Sequence, residues 1–354
     1  MKKISINSIG RFHLFDLAEE LHKIDRLEKL FTGYPRFKTK SLTIDGNRIF
    51  NKSYLQTLYL LLTRFGFSGF FTSLIDFYSH QQLDEYTARN LSNEKAVISL
   101  SSTGLKTIRE AKNKNIISIC DRGSSHIVHQ NNIIKNEYQK LGLKYKNIDK
   151  RILNKELLEY EESDYIFVPS EFAKNTFINN GIDKKKIIKI NYGIDINHFK
   201  RTNLKKNKKK LIDSFTLIFV GGISIRKGAH VLLEALEYIK HKNLRVWLIG
   251  QISPEIKLIL NNFKNINNHE VKNFKNIPRS KVIELMNIAD ALILPSFEEG
   301  LALSCLQAYS MQIPIIVTRN TGLEDIITNN VDGIILDKND PIVVTNKLVV
   351  RDGN

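Results

Sequence analysis

The stretch Ala291 to Asp325, ALILPSFEEGLALSCLQAYSMQIPIIVTRNTGLED, constrains the fold of this chain more than any other, because it sets a buried strand, a polar turn, a helix and a second strand in succession. Ala291 to Leu294 is a continuous apolar run closed by Pro295 and Ser296, the pattern of a strand covered on both faces. Leu303, Leu306 and Met311 recur at helical spacing within Leu301 to Met311, and Ile313 to Val317 is the next strand. This is a βαβ unit. In an open parallel sheet its turn lies at the carboxyl ends of the strands, where ligands bind.

That turn carries Glu298, Glu299 and Gly300. The N–H groups of Gly300, Leu301 and Ala302, free at a helix start, can hold an anionic phosphate. Two carboxylates at the same place are unusual. Glu298 is either a dipole partner of the helix, free to face solvent, or part of the site. Glu299 sits beside the glycine that lets a ligand approach the backbone.

EEGLALSCLQA, preceded by LPS and followed by TGLED, resembles the donor-site signature of the family 4 glycosyltransferases of the GT-B fold. That signature has a Glu, seven residues beginning with Gly, and a second Glu. Glu299 matches the first acid, whereas the second position holds Gln307. Eight helical residues advance roughly 12 Å, comparable to the span from a hexose across a diphosphate to a ribose. The resemblance implies that Glu299 faces the transferred sugar and that position 307 grips the ribose hydroxyls. A glutamine there makes neutral hydrogen bonds in place of the charge-assisted grip of a carboxylate.

With 354 residues and 42% hydrophobic content the chain is long enough for two globular domains. Boundaries are expected at 1–195 for a Rossmann-like N-terminal domain on the acceptor side, 196–212 for a basic linker, and 213–354 for a donor-binding domain. Cys120 and Cys305 lie inside buried-looking elements of opposite halves, which makes a disulfide framework improbable and fits a reducing compartment. The opening MKKISINSIGRF lacks the apolar core of a signal peptide and no run is apolar enough to span a bilayer, so a cytoplasmic protein is expected. The net charge of +16 fits nucleic acid, anionic lipid or a Lys-rich proteome. Its lysine clusters, such as Lys205 to Lys210, have no interleaved aromatic residues. That favours a peripheral membrane surface over nucleic acid.

From the N-terminus, Lys3 to Ile9 reads as a strand, and Gly10 opens onto a helix lined by Phe12, Phe15, Leu17, Ala18 and Leu21, the start of a doubly wound domain. The resemblance extends to GRFHLFDLAEEL and LFTGYPRF and implies that Gly10 lets the backbone approach the donor phosphate. His13 is read as structural. Tyr54 to Tyr78 is rich in aromatic residues and broken by Arg64, Gly66 and Gly69, so it is no spanning helix. Either it packs on the N-terminal sheet, or it leaves a partly exposed apolar surface for a membrane or a lipid-linked acceptor.

Ala96 to Leu100 and Ile116 to Cys120 are two more buried strands, and the second leads into DRGSSHIVHQ. This polar turn follows a strand's carboxyl end, the functional edge. The resemblance implies that His126 contacts the transferred sugar, with His129 the lesser candidate. Asp121 and Arg122 either pair with one another or orient the acceptor, and the residues leave both open. Further strands follow at Tyr165 to Val168 and Ile187 to Ile190, and then NYGIDINHF, similar to the family's bridge with its buried Phe.

Phe215 to Val220 opens the second domain and is followed by GGISIRKGAHVLLEAL. Arg226 and Lys227 bring two cations to a predicted helix start, which suits a diphosphate. Lys227 with Gly228 matches the family's KG pair, while the family's Arg falls where this chain has Gly222, leaving Arg226 as its substitute. The family's C-terminal helix that crosses back to the first domain is not expected in this chain, which ends in RDGN.

The resemblance thus implies a GT-B architecture of two Rossmann-like α/β domains facing a central cleft. It further implies a retaining hexosyltransferase acting from a nucleotide-diphosphate sugar on a glycan or lipid-linked acceptor in polysaccharide synthesis, with no metal or other cofactor. Arg226, Lys227 and the helix start at Gly300 would stabilise the leaving diphosphate. Glu298 and Glu299 are adjacent and should diverge, so no carboxylate pair for double displacement is expected. Three other readings stand beside this one: a non-catalytic or truncated sugar-nucleotide-binding relative, a nucleotide-sugar epimerase, and a basic nucleic-acid-binding protein with steep salt dependence.

Overall fold

The computed structural model describes residues 3–67, 69–201, 215–239, 244–262, 269–275, 277–337 and 339–349. Lys205 to Lys210, most of the expected 196–212 linker and the RDGN tail lie outside these residues. The chain divides into two compact units: Met1–Val128 with Asn147–Val168 and Phe177–Ile190, and His129–Lys146 with Pro169–Thr176 and Asn191–Asn354. Residues 129–146 and 169–176 thus group with the later part of the chain.

The first unit holds seven strands: β1 Ile4–Ser8, β2 Leu27–Thr32, β3 Ile49–Asn51, β4 Ala96–Leu100, β5 Ile117–Asp121, β6 Tyr165–Val168 and β7 Ile187–Lys189. They form one parallel sheet in the order β3-β2-β1-β4-β5-β6-β7. Side chains alternate between faces with period two. On β4, Val97 joins a core with Leu83 and Ala111, while its neighbour Ile98 joins another with Leu14, Phe15 and Leu30. A sheet buried on both faces explains why Ala96, Val97 and Ile98 are apolar at consecutive positions of β4.

The second unit repeats the plan with β8 Phe215–Val220, β9 Leu244–Ile249, β10 Glu270–Phe274, β11 Ala291–Leu294, β12 Ile315–Thr318 and β13 Gly333–Leu336, in the order β10-β9-β8-β11-β12-β13. All its pairings are parallel. Its core is one continuous cluster to which β8, β11, β12 and the helix Ala229–Tyr238 contribute almost wholly buried residues. At about 1.5–3 kcal/mol for each fully buried large apolar side chain, this cluster is the main force holding the unit together. Phe199, from the NYGIDINHF segment, is buried in it with the Arg279 guanidinium 4.9 Å from its ring centroid. Cys120 and Cys305 are free and buried, as a core role requires.

Four strands were not apparent from the sequence: β2, β3, β10 and β13. Of these, β3 and β10 are sheet edges whose residues are at most half-buried, so no strong apolar run marks them. Among the described residues no helix is long and apolar enough to cross a membrane.

In both sheets the strand order reverses beside the first strand of the unit, at β1/β4 and at β8/β11. Loops leaving adjacent strands there diverge to opposite faces, which opens a crevice at the carboxyl edge.

Candidate functional site

At the carboxyl end of β8 the chain runs from Gly221 through Arg226, Lys227 and Gly228 into the helix Ala229–Tyr238. At the end of β11 it runs from Pro295 to Ala302 into the helix Leu303–Ser310. These loops are in direct contact. Gly228 has φ +70°, and a Cβ on it would stand 1.8 Å from the Pro295 carbonyl oxygen. The Phe297 N–H donates to the Arg226 carbonyl at 2.9 Å. Close backbone approach, which only glycine permits here, holds the two loops together.

The contact brings four charged side chains together. Arg226 Nη1 donates to the Glu298 carbonyl at 2.9 Å and lies 3.2 Å from both Glu298 Oε2 and Glu299 Oε1. Lys227 Nζ lies 2.7 Å from Glu299 Oε1. Gly221, at φ +131°, makes room for the lysine, since a Cβ there would stand 3.3 Å from Nζ. Two cations and two carboxylates carry no net charge. The carboxylates do not diverge, as adjacency led us to expect, but share one guanidinium, and Glu298 takes its other partner from Gln130 Nε2 at 2.7 Å.

Glu298 is not free to face solvent. Its side chain is fully buried, because Arg226 and Gln130 satisfy it inside the unit. Glu299 and Lys227 keep 12% and 15% of their side-chain surface exposed and Arg226 keeps 33%. Glu299, Lys227 and Arg226 are therefore the accessible members.

Backbone hydrogen bonds fix the turn around them. The Glu299 N–H donates to the Asn320 carbonyl at 2.9 Å and the Ala302 N–H to the Thr321 carbonyl at 3.1 Å. Ala302 is thus not one of the free donors that its place before the helix implied. The N–H groups of Gly300 and Leu301 have no hydrogen-bond partner among the described residues. The glycine of TGLED also has a role: Gly322, at φ +74°, would set a Cβ 2.4 Å from the Gly300 carbonyl oxygen, which accepts from Ser170 Oγ at 2.6 Å. Gln307 is half-buried in the second turn of the helix and its amide has no side-chain partner among the described residues. Burial pushes the Cys305 thiol up to about 12, so it is inert at neutral pH.

In the first unit the predicted residues are arranged differently. The Gly10 carbonyl accepts from Ser8 Oγ at 2.9 Å, and the space a Cβ would fill faces the Phe12 ring at 3.2 Å. His13, read as structural from sequence, stands just past β1 with Nε2 2.7 Å from Asp121 Oδ2 at the end of β5. Asp121 therefore pairs with His13 and not with Arg122. Arg122 bonds Glu156 Oε2 at 3.0 Å and Ser101 Oγ at 3.2 Å, tying its loop to the helix Lys150–Glu162.

His126 is only 2% exposed. Its ring lies 5.1 Å from that of Tyr160 and 5.0 Å from that of Phe177, and Nδ1 accepts the Val128 N–H at 3.3 Å. In the second unit His129 packs on Phe172, and burial lowers its imidazole although Glu298 raises it.

Two contributors were missed from sequence. Gln130 holds Glu298 across 168 residues of chain, and His230, stacked on Phe297, bonds Glu137 at 3.1 Å. Hydrogen bonds from His230 and Lys140 hold the Glu137 carboxyl below the usual range against the effect of burial. Nothing local in either stretch announces such a partner.

Residues 200–348 match the family described as glycosyl transferases group 1. The chain is 27% identical over 197 residues to the capsular polysaccharide biosynthesis glycosyltransferase CapM of Staphylococcus aureus, covering 52% of this chain and 50% of that protein. It is 28% identical over 179 residues to the UDP-Gal:alpha-D-GlcNAc-diphosphoundecaprenol alpha-1,3-galactosyltransferase of Escherichia coli, covering 48% and 46%. The matched region thus spans about half the length of these curated relatives. Among solved structures, Anabaena HepE in complex with UDP and glucose superposes with a TM-score of 0.69 at 16% identity, covering 99% of this chain and 90% of that one. That likeness and the two parallel-sheet domains make the fold GT-B. Over residues 200–348, then, this chain is similar to the glycosyl transferases group 1, and its two parallel-sheet units have the GT-B fold.

Proposed function

We propose that this chain transfers a hexosyl group from a nucleoside-diphosphate sugar to a hydroxyl of a glycan or lipid-linked acceptor, with retention of anomeric configuration, in the synthesis of a cell-surface polysaccharide. One observation carries the reading: Arg226, Lys227 and Glu299 converge at the β8/β11 reversal. Two cations at that edge suit a diphosphate, and the carboxylate beside them suits sugar hydroxyls. HepE of Anabaena binds UDP and the Escherichia coli relative uses UDP-Gal, which favours a uridine nucleotide as donor. CapM, a capsular polysaccharide enzyme by name, favours a polysaccharide product.

In this reading Lys227 and Arg226 stabilise charge developing on the leaving diphosphate, aided by the N–H groups of Gly300 and Leu301, without a metal. Glu299 accepts from the sugar hydroxyls, and Gln307 bonds the ribose. His126, enclosed by Tyr160 and Phe177, acts by positioning its loop. The work would take place in the cytoplasm, where nucleotide sugars are made.

Calorimetric binding and turnover with uridine, guanosine and adenosine diphosphate sugars test this, with Lys227→Ala and Glu299→Ala as controls. Binding of one donor, lost in both variants, together with sugar release to water or acceptor, is the expected result. No binding of any donor would defeat it. A second reading, a relative that binds the nucleotide sugar without transferring it, is favoured by Gln307 and by the charge neutrality of the four-residue cluster. Binding without turnover would select it.

A further inference from the structure

Residues 46–75 contain no Asp or Glu, yet include Arg48, Lys52 and Arg64. Within this stretch lie the helix Tyr54–Arg64 and the first residues of the helix Phe70–Arg89, which pack on one another as a hairpin of the first unit; Arg48, ahead of them, pairs with Asp25. The first helix is inverted relative to an ordinary surface helix. Its one buried residue is Gln56, which accepts a hydrogen bond from Ser79 Oγ at 2.9 Å. Tyr54, Leu58, Leu61 and Phe65, which recur at helical spacing along one face, are all exposed. Phe67, Phe70 and Phe71 follow within a few residues and are also exposed, Phe71 to 77%. A contiguous apolar face of this kind is costly in water and marks a docking surface.

We propose that this hairpin docks the protein on an anionic lipid bilayer, with the phenyl rings in the interfacial layer and Arg64 and Lys52 on lipid phosphates. Three features select this occupant. Aromatic rings beside cations are the composition of an interfacial helix, whose binding grows with buried apolar area and with attraction to anionic headgroups. Lysine and arginine near such a surface add to it while salt screens them. A second copy of the chain fits poorly. A two-fold interface through the face of Tyr54, Leu58, Leu61 and Phe65, a helix without a carboxylate, would set Lys52 and Arg64 of one copy against those of the other.

The test is flotation of the full chain, with no donor present, on vesicles of phosphatidylcholine alone and of phosphatidylcholine containing about one third phosphatidylglycerol. Recovery with the anionic vesicles is expected to exceed that with neutral ones about tenfold, and to fall about tenfold in the Phe67→Ser/Phe70→Ser/Phe71→Ser variant at unchanged Tm. Lys52→Gln/Arg64→Gln should bind less and lose salt dependence, and it serves as the decisive variant if the triple one fails to fold. Three results would overturn the proposal: wild-type protein that floats on neither vesicle, variants that bind as wild type, or light scattering that shows a dimer dissolved by the same substitutions. Since no nucleotide enters the assay, its outcome is independent of the transfer reaction proposed above.

Discussion

Lys227 Nζ lies 2.7 Å from Glu299 Oε1, so the cation suited to a diphosphate is already engaged by the carboxylate suited to the sugar. Under the proposed function a nucleoside-diphosphate sugar would replace both halves of the pair at once: phosphate would take the lysine and sugar hydroxyls would donate to the glutamate. A nucleoside diphosphate without the sugar would take the lysine and leave the largely buried Glu299 carboxylate only its longer contact with Arg226, 3.2 Å away, which is less favourable. On that reading the pair would favour donor over product nucleotide. Glu299→Gln should bind UDP about threefold to tenfold more tightly, because Lys227 is released, and should bind UDP-sugar less tightly. Titration calorimetry of both ligands checks this; an equal change for the two would remove the argument.

Gln307 replaces the second acid of the signature and its amide has no partner among the described residues. Restoring the acid with Gln307→Glu should tighten donor binding about tenfold, the difference between a neutral and a charge-assisted hydrogen bond. The readout is Kd for the donor and for its 2′-deoxyribose analogue. The gain should appear only with the ribose form.

Gly228 combines φ +70° with a neighbouring carbonyl 1.8 Å from where a Cβ would be. Gly228→Ala must force apart the loops after β8 and β11, at a cost of about 2–4 kcal/mol. We expect a lower Tm together with loss of donor binding. Gly46→Ala, where nothing lies within 4 Å of the added Cβ, should leave both unchanged.

Burial and the nearby Lys155 push the imidazole of His80 down to about 4, while Nδ1 stands 2.7 Å from Ser102 Oγ. An unfolded histidine titrates near 6.5, so between about pH 6.5 and 4 the unfolded chain binds a proton that the folded one refuses. His80 therefore contributes stability above that window and loses it as pH falls, by up to about 1.4 kcal/mol per pH unit. Asp76, raised to about 6, and Glu159, raised to about 8, act in the opposite sense, since each loses stability as pH rises. The isolating measurement is a comparison: His80→Gln should lose less stability than wild type between pH 7 and pH 5 in urea titrations. Equal losses would show that His80 is not the group responsible.

Much of the fold was legible because a parallel sheet buried on both faces writes each strand as a short apolar run. Ala96–Leu100, Tyr165–Val168, Phe215–Val220 and Ala291–Leu294 all stand where those runs placed them. Edge strands β3 and β10 were not legible, since half of each faces solvent and polar residues interrupt the pattern. In the site, Arg226, Lys227 and Glu299 came from two loops marked by glycine and charge, and the structure brings them into contact. Asp121 and His13 show the limit of that reasoning. Asp121 had a cation next to it in sequence and pairs instead with a histidine 108 residues away.

The sequence by itself determined the periodicity: apolar strands, glycine-bearing turns at their ends, helices that follow, and therefore a parallel α/β chain with charged loops at the carboxyl edge. Only the tertiary structure decided which charges meet. Strand order sets β8 beside β11, register brings Gly228 against Pro295, and the packing of a distant segment supplies Gln130 to a carboxylate that adjacency alone would have left in solvent. Local spacing reports which face a residue occupies. The partner on that face is chosen by the order and register of the whole sheet, and no window of sequence contains that information.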